Sequence, residues 1–202
     1  RYNIAAAEAV AQILDIRLQI AENVIKNFGG VKGRREEVPN KKGFRVFVDF
    51  AHTPNALENV LTQLRKETKN RLICVFGCTG ERDKEKRPIM GEIAARIADF
   101  VIITSDDTRS ENQDEIARQI IDGMSNAPGL RATPSLIKEG EGGVFKINDR
   151  KKALQKALGM ARKGDIVLLA GKGHEKTILH GTTEYPWNDF DEAVKILNYA
   201  KN

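Results

Sequence analysis

The 202-residue chain reads as an α/β protein, with a Rossmann-like, mostly parallel sheet, helices on both faces and an antiparallel edge hairpin. Three observations predict this. Short apolar runs (FRVFVDF, RLICVFG, DFVIITS and DIVLLAG) have the continuous hydrophobicity of strands buried on both faces. Amphipathic stretches of about a dozen residues separate them, as right-handed crossovers between parallel strands require. Near the end, KTILH and TEYPW flank Gly181 and Thr182, a hairpin signature.

Taken in order, the Ala-rich segment from Asn3 to Ile16 and the segment from Gln19 to Phe28 have helical spacing, and Gly29 and Gly30 end the second. Two small helices cannot bury a core alone. Residues 1–29 are therefore expected to be a remnant of a preceding domain, with residues 30–202 forming the main one. FRVFVDF (44–50) is the first strand, and Thr53 with Pro54 caps a helix to about Glu67. RLICVFG (71–77) is a buried strand, Pro88 opens a helix to about Ala98, and DFVIITS is the third strand. A helix over 113–124 follows. The stretch 125–143, rich in Gly and Pro, is expected to be loop with one short strand at most. VFKIN, a helix over 150–162, the strand DIVLLAG (165–171), the hairpin and a closing helix from Asp189 complete the pattern.

Hydrophobic residues at 41% and charged residues at 30% suit one large α/β domain with a short appendage. No apolar run approaches a membrane span, and the opening RYNIAAAEAV has no secretory signal pattern, so a cytoplasmic enzyme is expected. The net charge of +5 admits phosphorylated ligands or a plain basic surface. Basic residues alternate with acidic ones along ERDKEKR and ENQDEIAR without interleaved aromatics, which argues against nucleic acid. Cys74 and Cys78 are too few for a disulfide scaffold or a structural zinc site.

The distinctive segments fall after strands: DFAHTP, GCTGERDKEKRP, SDDTRSEN and AGKGHEK. In an open parallel sheet such segments gather on one rim, where ligands bind. Arg82 suits a carboxylate, which a guanidinium grips through two parallel hydrogen bonds; a solvated loop with Asp83 and Glu85 pairs is the competing reading. Asp106, Asp107 and Arg109 offer both charge signs, fitting a ligand with ammonium and carboxylate groups, or else the two acids cap the next helix. Adjacent acids alone make a poor metal site. AGKGHEK lacks the Lys-Ser/Thr of a phosphate-binding loop; its glycines expose backbone to a ligand, Glu175 suits an ammonium, and His174 is read as structural. Asp49 suits ribose hydroxyls or a capping network, and Arg34 a phosphate or solvent.

Taken together, RYNIAAAEAVA, GRREEV, VDFAHTPNALENVL, GCTGERDKEKRPIMGEIA, IITSDDTRSE and LLAGKGHEKT resemble, in order and spacing, the Mur ligases, the ATP-dependent amide ligases of cell-wall synthesis. The likeness covers nearly the whole chain and is greatest to the members that add the third residue of the stem peptide. It implies that Asn3 lies near adenine, Arg34 reaches nucleotide phosphates and Asp49 holds the ribose. It further implies that Arg82 binds the carboxylate of the incoming amino acid and that Gly171 and Glu175 touch the same ligand. Asp106, Asp107, Thr108 and Arg109 fall on the recognition motif that reads Asp-Asn-Pro-Arg in diaminopimelate-adding members. Asp107 and Thr108 depart from that motif, while Arg109 is kept.

The partners implied are ATP, a UDP-N-acetylmuramoyl dipeptide and a diamino acid. Meso-diaminopimelate is favoured over lysine, because an arginine attracts a second carboxylate and repels a terminal ammonium. The phosphate-binding loop and the ligands for Mg2+ are implied to lie in upstream domains, so no catalytic or metal residue is assigned here and the piece alone is expected to be inactive. Competing readings are a lysine-adding member, another Mur or folylpolyglutamate-type ligase, and a non-catalytic ligand-binding module of the same fold.

Overall fold

The computed structural model describes residues 2–125 and 143–199. The predicted loop 125–143 lies, except for its two end residues, outside them. The chain divides into two compact units, Arg1–Val31 and Lys32–Asn202. The first holds α1 (Tyr2–Ile13) and α2 (Leu18–Lys26), joined by a turn in which Asp15 adopts a φ of 55°. Ile13, Leu14, Ile20, Val24 and Phe28 stay exposed.

The second unit runs β1 (Glu36–Glu37), β2 (Arg45–Asp49), α3 (Pro54–Glu67), β3 (Leu72–Phe76), α4 (Lys86–Ile97), β4 (Phe100–Ile103) and α5 (Gln113–Met124). It continues with β5 (Gly143–Lys146), α6 (Arg150–Met160), β6 (Ile166–Ala170), β7 (Thr177–His180), β8 (Thr183–Pro186) and α7 (Asp189–Tyr199). Among the described residues, six strands form one sheet in the order β1-β2-β6-β3-β4-β5. Of these, β1 runs antiparallel to its neighbour, and β2, β6, β3, β4 and β5 are parallel.

Connection direction places the helices. From β2 through β3 and β4 to β5 the chain steps one way across the sheet, so right-handed crossovers stack α3, α4 and α5 on one face. The return from β5 to β6 runs the other way and lays α6 on the opposite face, beside α7. Side chains alternate accordingly: Leu72, Cys74 and Phe76 of β3 face the α3–α5 core, and Ile73 and Val75 face the α6–α7 core. β6 lies between β2 and β3, and all five of its residues are buried.

Local signals set several boundaries. Thr53 Oγ1 accepts from Ala56 N at 3.3 Å, with Pro54 at the first helical position, as the sequence predicts. α4 begins at Lys86, two residues before Pro88. The hairpin β7–β8 forms its own two-stranded sheet, and β1 supplies the antiparallel edge of the main one. β7 instead braces the loop after β4, where Thr108 N donates to Leu179 O at 2.9 Å and Arg109 bridges His180.

Below the rim, Arg150 is buried and ties three elements together. Its Nε and Nη2 donate to Asp189 at 2.8 and 2.6 Å, Nη1 donates to Ser105 O at 2.9 Å, and Nη2 also reaches Ala170 O at 3.0 Å. The ends of β4 and β6 are thus joined to the start of α7 by a charge-assisted network.

Candidate amino-acid cleft at the carboxyl edge of the sheet

All four loops singled out in the sequence line one cleft of about 430 Å³, beyond the carboxyl ends of β2, β3, β4 and β6. Its walls include His52, Arg82, Asp106, Asp107, Arg109, Gly171 and Glu175. Thr108 is not part of the lining. It is buried behind the cleft, with Oγ1 3.3 Å from His180 Nδ1.

The carboxylates of the cleft gather around Lys172. Its side chain is 1% exposed, and Nζ donates to Asp107 Oδ1 at 2.8 Å and Glu175 Oε2 at 2.6 Å, with Asp106 Oδ1 at 3.7 Å. Burial by itself would favour the neutral amine, but Asp106, Asp107 and Glu175 outweigh it and raise the lysine above its ordinary pKa. Asp107 Oδ1 also accepts from Leu179 N at 2.9 Å, so β7 helps to hold it. Neither acid caps α5, whose N-cap is Asn112, accepting from Asp114 N at 2.8 Å.

The same cleft is lined by two guanidiniums. Arg82 is exposed and has no hydrogen-bond or ion-pair partner among the described residues. Its neighbours are committed elsewhere: Asp83 accepts from the backbone of Glu85 and Lys86, and Lys84 pairs with Glu111 at 3.3 Å. Arg109 sits at a left-handed φ of 52°, and its Nε is buried without a hydrogen-bond partner. A buried unpaired donor of this kind is costly unless something in the cleft accepts from it. Lys86, buried at the start of α4, reaches His52 O at 3.0 Å.

Two loops keep these groups in register. Gly80 N donates to Asp107 O at 2.7 Å, and a side chain at Gly80 would run into Thr108 O. Glu111 accepts from Arg87, Lys84 and the backbone N of Glu81, and Ser110 hydrogen-bonds Glu81. The Arg87 guanidinium holds the Glu111 carboxyl at about 2, well below the usual range.

A second group of residues adjoins the cleft. Asp49 ends β2, and its Oδ2 accepts from Arg35 N at 2.7 Å. Burial raises the pKa of Asp49, partly offset by the Arg35 and Ala51 amides and by Arg34. Arg34 is exposed and lies 4.6 Å above the Phe50 ring, which also packs on His52 and His174. Asn3 is exposed on α1, in the other unit.

A profile of the family described as "Mur ligase, glutamate ligase domain" matches residues 33–173. The chain belongs to the Mur ligase family. It is 39% identical over 98% of its length to the UDP-N-acetylmuramoyl-L-alanyl-D-glutamate--2,6-diaminopimelate ligase of Clostridioides difficile strain 630. It is 41% identical over 97% of its length to the ligase of the same name from Syntrophomonas wolfei. A solved structure named as such a ligase superposes with a TM-score of 0.70 at 32% identity, covering 99% of this chain and 38% of that one. The chain spans 38% of the length of the two curated relatives.

For this Mur ligase chain, the sequence names the charged residues that line the cleft but does not show that two cations beside it, Lys172 and Arg87, are buried. In AGKGHEK the absence of a following Ser or Thr rules out a phosphate-binding lysine and leaves Lys172 without a role legible in the sequence. Its signal was a lysine between two glycines after a buried strand, where the chain must turn back under the rim. Arg87 was counted only as part of a basic run, yet it is wholly buried. Asp106, Asp107 and Glu175 bring oxygens within 4.8 Å of one another. The Lys172 ammonium already bonds two of these acids and faces the third, so the trio does not fit a Mg2+ site.

Proposed function

We propose that this chain is the carboxy-terminal portion of an ATP-dependent ligase that adds a diamino acid, meso-diaminopimelate, to UDP-N-acetylmuramoyl-L-Ala-D-Glu. Its part in the reaction is to hold the incoming amino acid. The observation that carries this reading is the single cleft lined by Arg82, Asp106, Asp107, Arg109, Gly171 and Glu175. Guanidiniums and carboxylates gathered in one cleft match a ligand bearing both ammonium and carboxylate groups. The names of the curated relatives support the same substrate.

Arg109 favours diaminopimelate over lysine. Its unpaired Nε is suited to the second carboxylate of diaminopimelate, whereas lysine would bring a positive charge to that end. The amine held here would attack an acyl phosphate formed on the dipeptide, and this portion contributes orientation rather than bond-making groups. Arg34 and Asp49 would contact the phosphates and ribose of ATP. Residues 1–29 would then be the end of a preceding ATP-binding domain, consistent with the exposed apolar side chains of α1 and α2. The Mg2+ ligands would lie in that domain, the isolated portion would be inactive, and ATP use implies a cytoplasmic reaction.

The test is ligation by the complete enzyme with ATP and the UDP-linked dipeptide, comparing meso-diaminopimelate with L-lysine. The reading expects a kcat/KM for diaminopimelate at least about a hundredfold higher, the effect of one buried charge mismatch. Equal turnover of both would remove the substrate assignment, and no turnover of either would remove the ligase.

A further inference from the structure

We infer that Lys172 is a positioning residue that presets the ammonium-binding pole of the cleft by holding Asp107 and Glu175, from two different loops, on one buried nitrogen. The inference rests on the amino-acid role proposed for the cleft and deepens it. Gly171 and Gly173 flank the lysine at φ values of 104° and 50°, and Glu175 N donates back to Lys172 O at 2.9 Å. The chain therefore folds tightly after β6 and turns the lysine inward, where it is 1% exposed. An ammonium offers three protons, and the acids facing it are Asp107, Glu175 and, at 3.7 Å, Asp106.

Charge accounting gives the lysine its purpose. Three carboxylates around one ammonium leave two negative charges, room for an incoming ammonium without loss of the lysine's own bonds. Without Lys172, three acidic side chains with oxygens inside 4.8 Å would repel one another and separate, or gather a metal cation. The lysine thus keeps the acids converged while no amino acid is bound, and keeps divalent cations out of a cleft meant for an organic ammonium.

Lys172→Met and Lys172→Arg in the complete enzyme test this. Lys172→Met should raise KM for the diamino acid about tenfold or more, with KM for ATP within about twofold, as expected when one pole of a preorganised site is lost. It should also bind one more equivalent of Mn2+ than the wild type, read by titration calorimetry. Lys172→Arg, which keeps the charge, should recover much of the KM and none of the added Mn2+ binding. An unchanged amino-acid KM, a parallel rise in KM for ATP, or Lys172→Arg no better than Lys172→Met would overturn the inference. Should Lys172→Met not fold, Lys172→Gln carries the same readouts. If the wild type ligates no diamino acid, the proposed function fails separately. The Mn2+ comparison then decides the inference alone, with added binding supporting it and none overturning it.

Discussion

Arg87 Nη1 donates to Glu111 Oε2 at 2.9 Å, and through this pair the first turn of α4 is fastened to the loop before α5. The arginine has no solvent exposure and also reaches Gln119 at 2.8 Å and Thr79 O at 3.1 Å. One buried cation thus sets the spacing of the two loops that carry Arg82 and Arg109.

The Arg87 guanidinium, bonded to the Glu111 carboxyl, holds it at about 2, well below the ordinary carboxylate range. A depressed carboxyl stabilises the fold above its unfolded pKa, and that contribution is lost as pH falls from about 4.5 toward 2. Glu111→Gln should therefore lower stability at neutral pH by about 1–2 kcal/mol, the shift being discounted because the carboxyl borders solvent. Urea unfolding of both proteins across this range checks it; their curves should converge near the acid end, and a constant gap would contradict the assignment.

Gly171 has a φ of 104°, and a Cβ there would lie 2.9 Å from Asp106 Oδ2. Gly171→Ala should destabilise by about 1–3 kcal/mol through backbone strain and displace Asp106 from the cleft. Thermal unfolding together with KM for the diamino acid provides the check. A variant with wild-type Tm and KM would show that neither the strain nor the contact matters.

Arg82 is exposed and free of partners among the described residues, so the fold does not depend on it. Arg82→Ala should leave stability within about 0.5 kcal/mol and weaken amino-acid binding by about 1.5–3 kcal/mol, the range for a charge-assisted hydrogen bond. Calorimetry with the diamino acid and with an ATP analogue separates the two ligands. Equal weakening of both would point to a general electrostatic role.

Burial pushes the Cys74 and Cys78 thiols up to about 12. Neither should react with a disulfide reagent in the native protein, because the thiolate is the nucleophile and neither sulfur is accessible. Both should react in denaturant. Rapid native labelling would mean that β3 opens readily.

The alternation of strands and helices was legible because it depends on local periodicity. Each parallel strand is buried on both faces and each helix on one, so composition alone marks them. The edge strand β1 was missed: its two residues, Glu36 and Glu37, pair by backbone with Val48 and Phe47 and carry no apolar signal. The hairpin was legible from its turn, but its attachment to Thr108 and Arg109 depends on a contact between residues about 70 apart, which no local pattern records.

For the site, the sequence alone determined that charged and Gly-rich loops follow the strands, which is enough to predict one rim and to name Arg82, Asp106, Asp107, Arg109, Gly171 and Glu175. Only the tertiary structure decided how those charges are shared. Because β6 inserts between β2 and β3, Lys172 is carried to the acids of the loop after β4 and joins them, with Glu175 of its own loop, on one nitrogen, while Arg82 and Arg109 keep donors to spare. Burial and pairing of charge are properties of distance between residues remote in the chain, and distance is set by strand order.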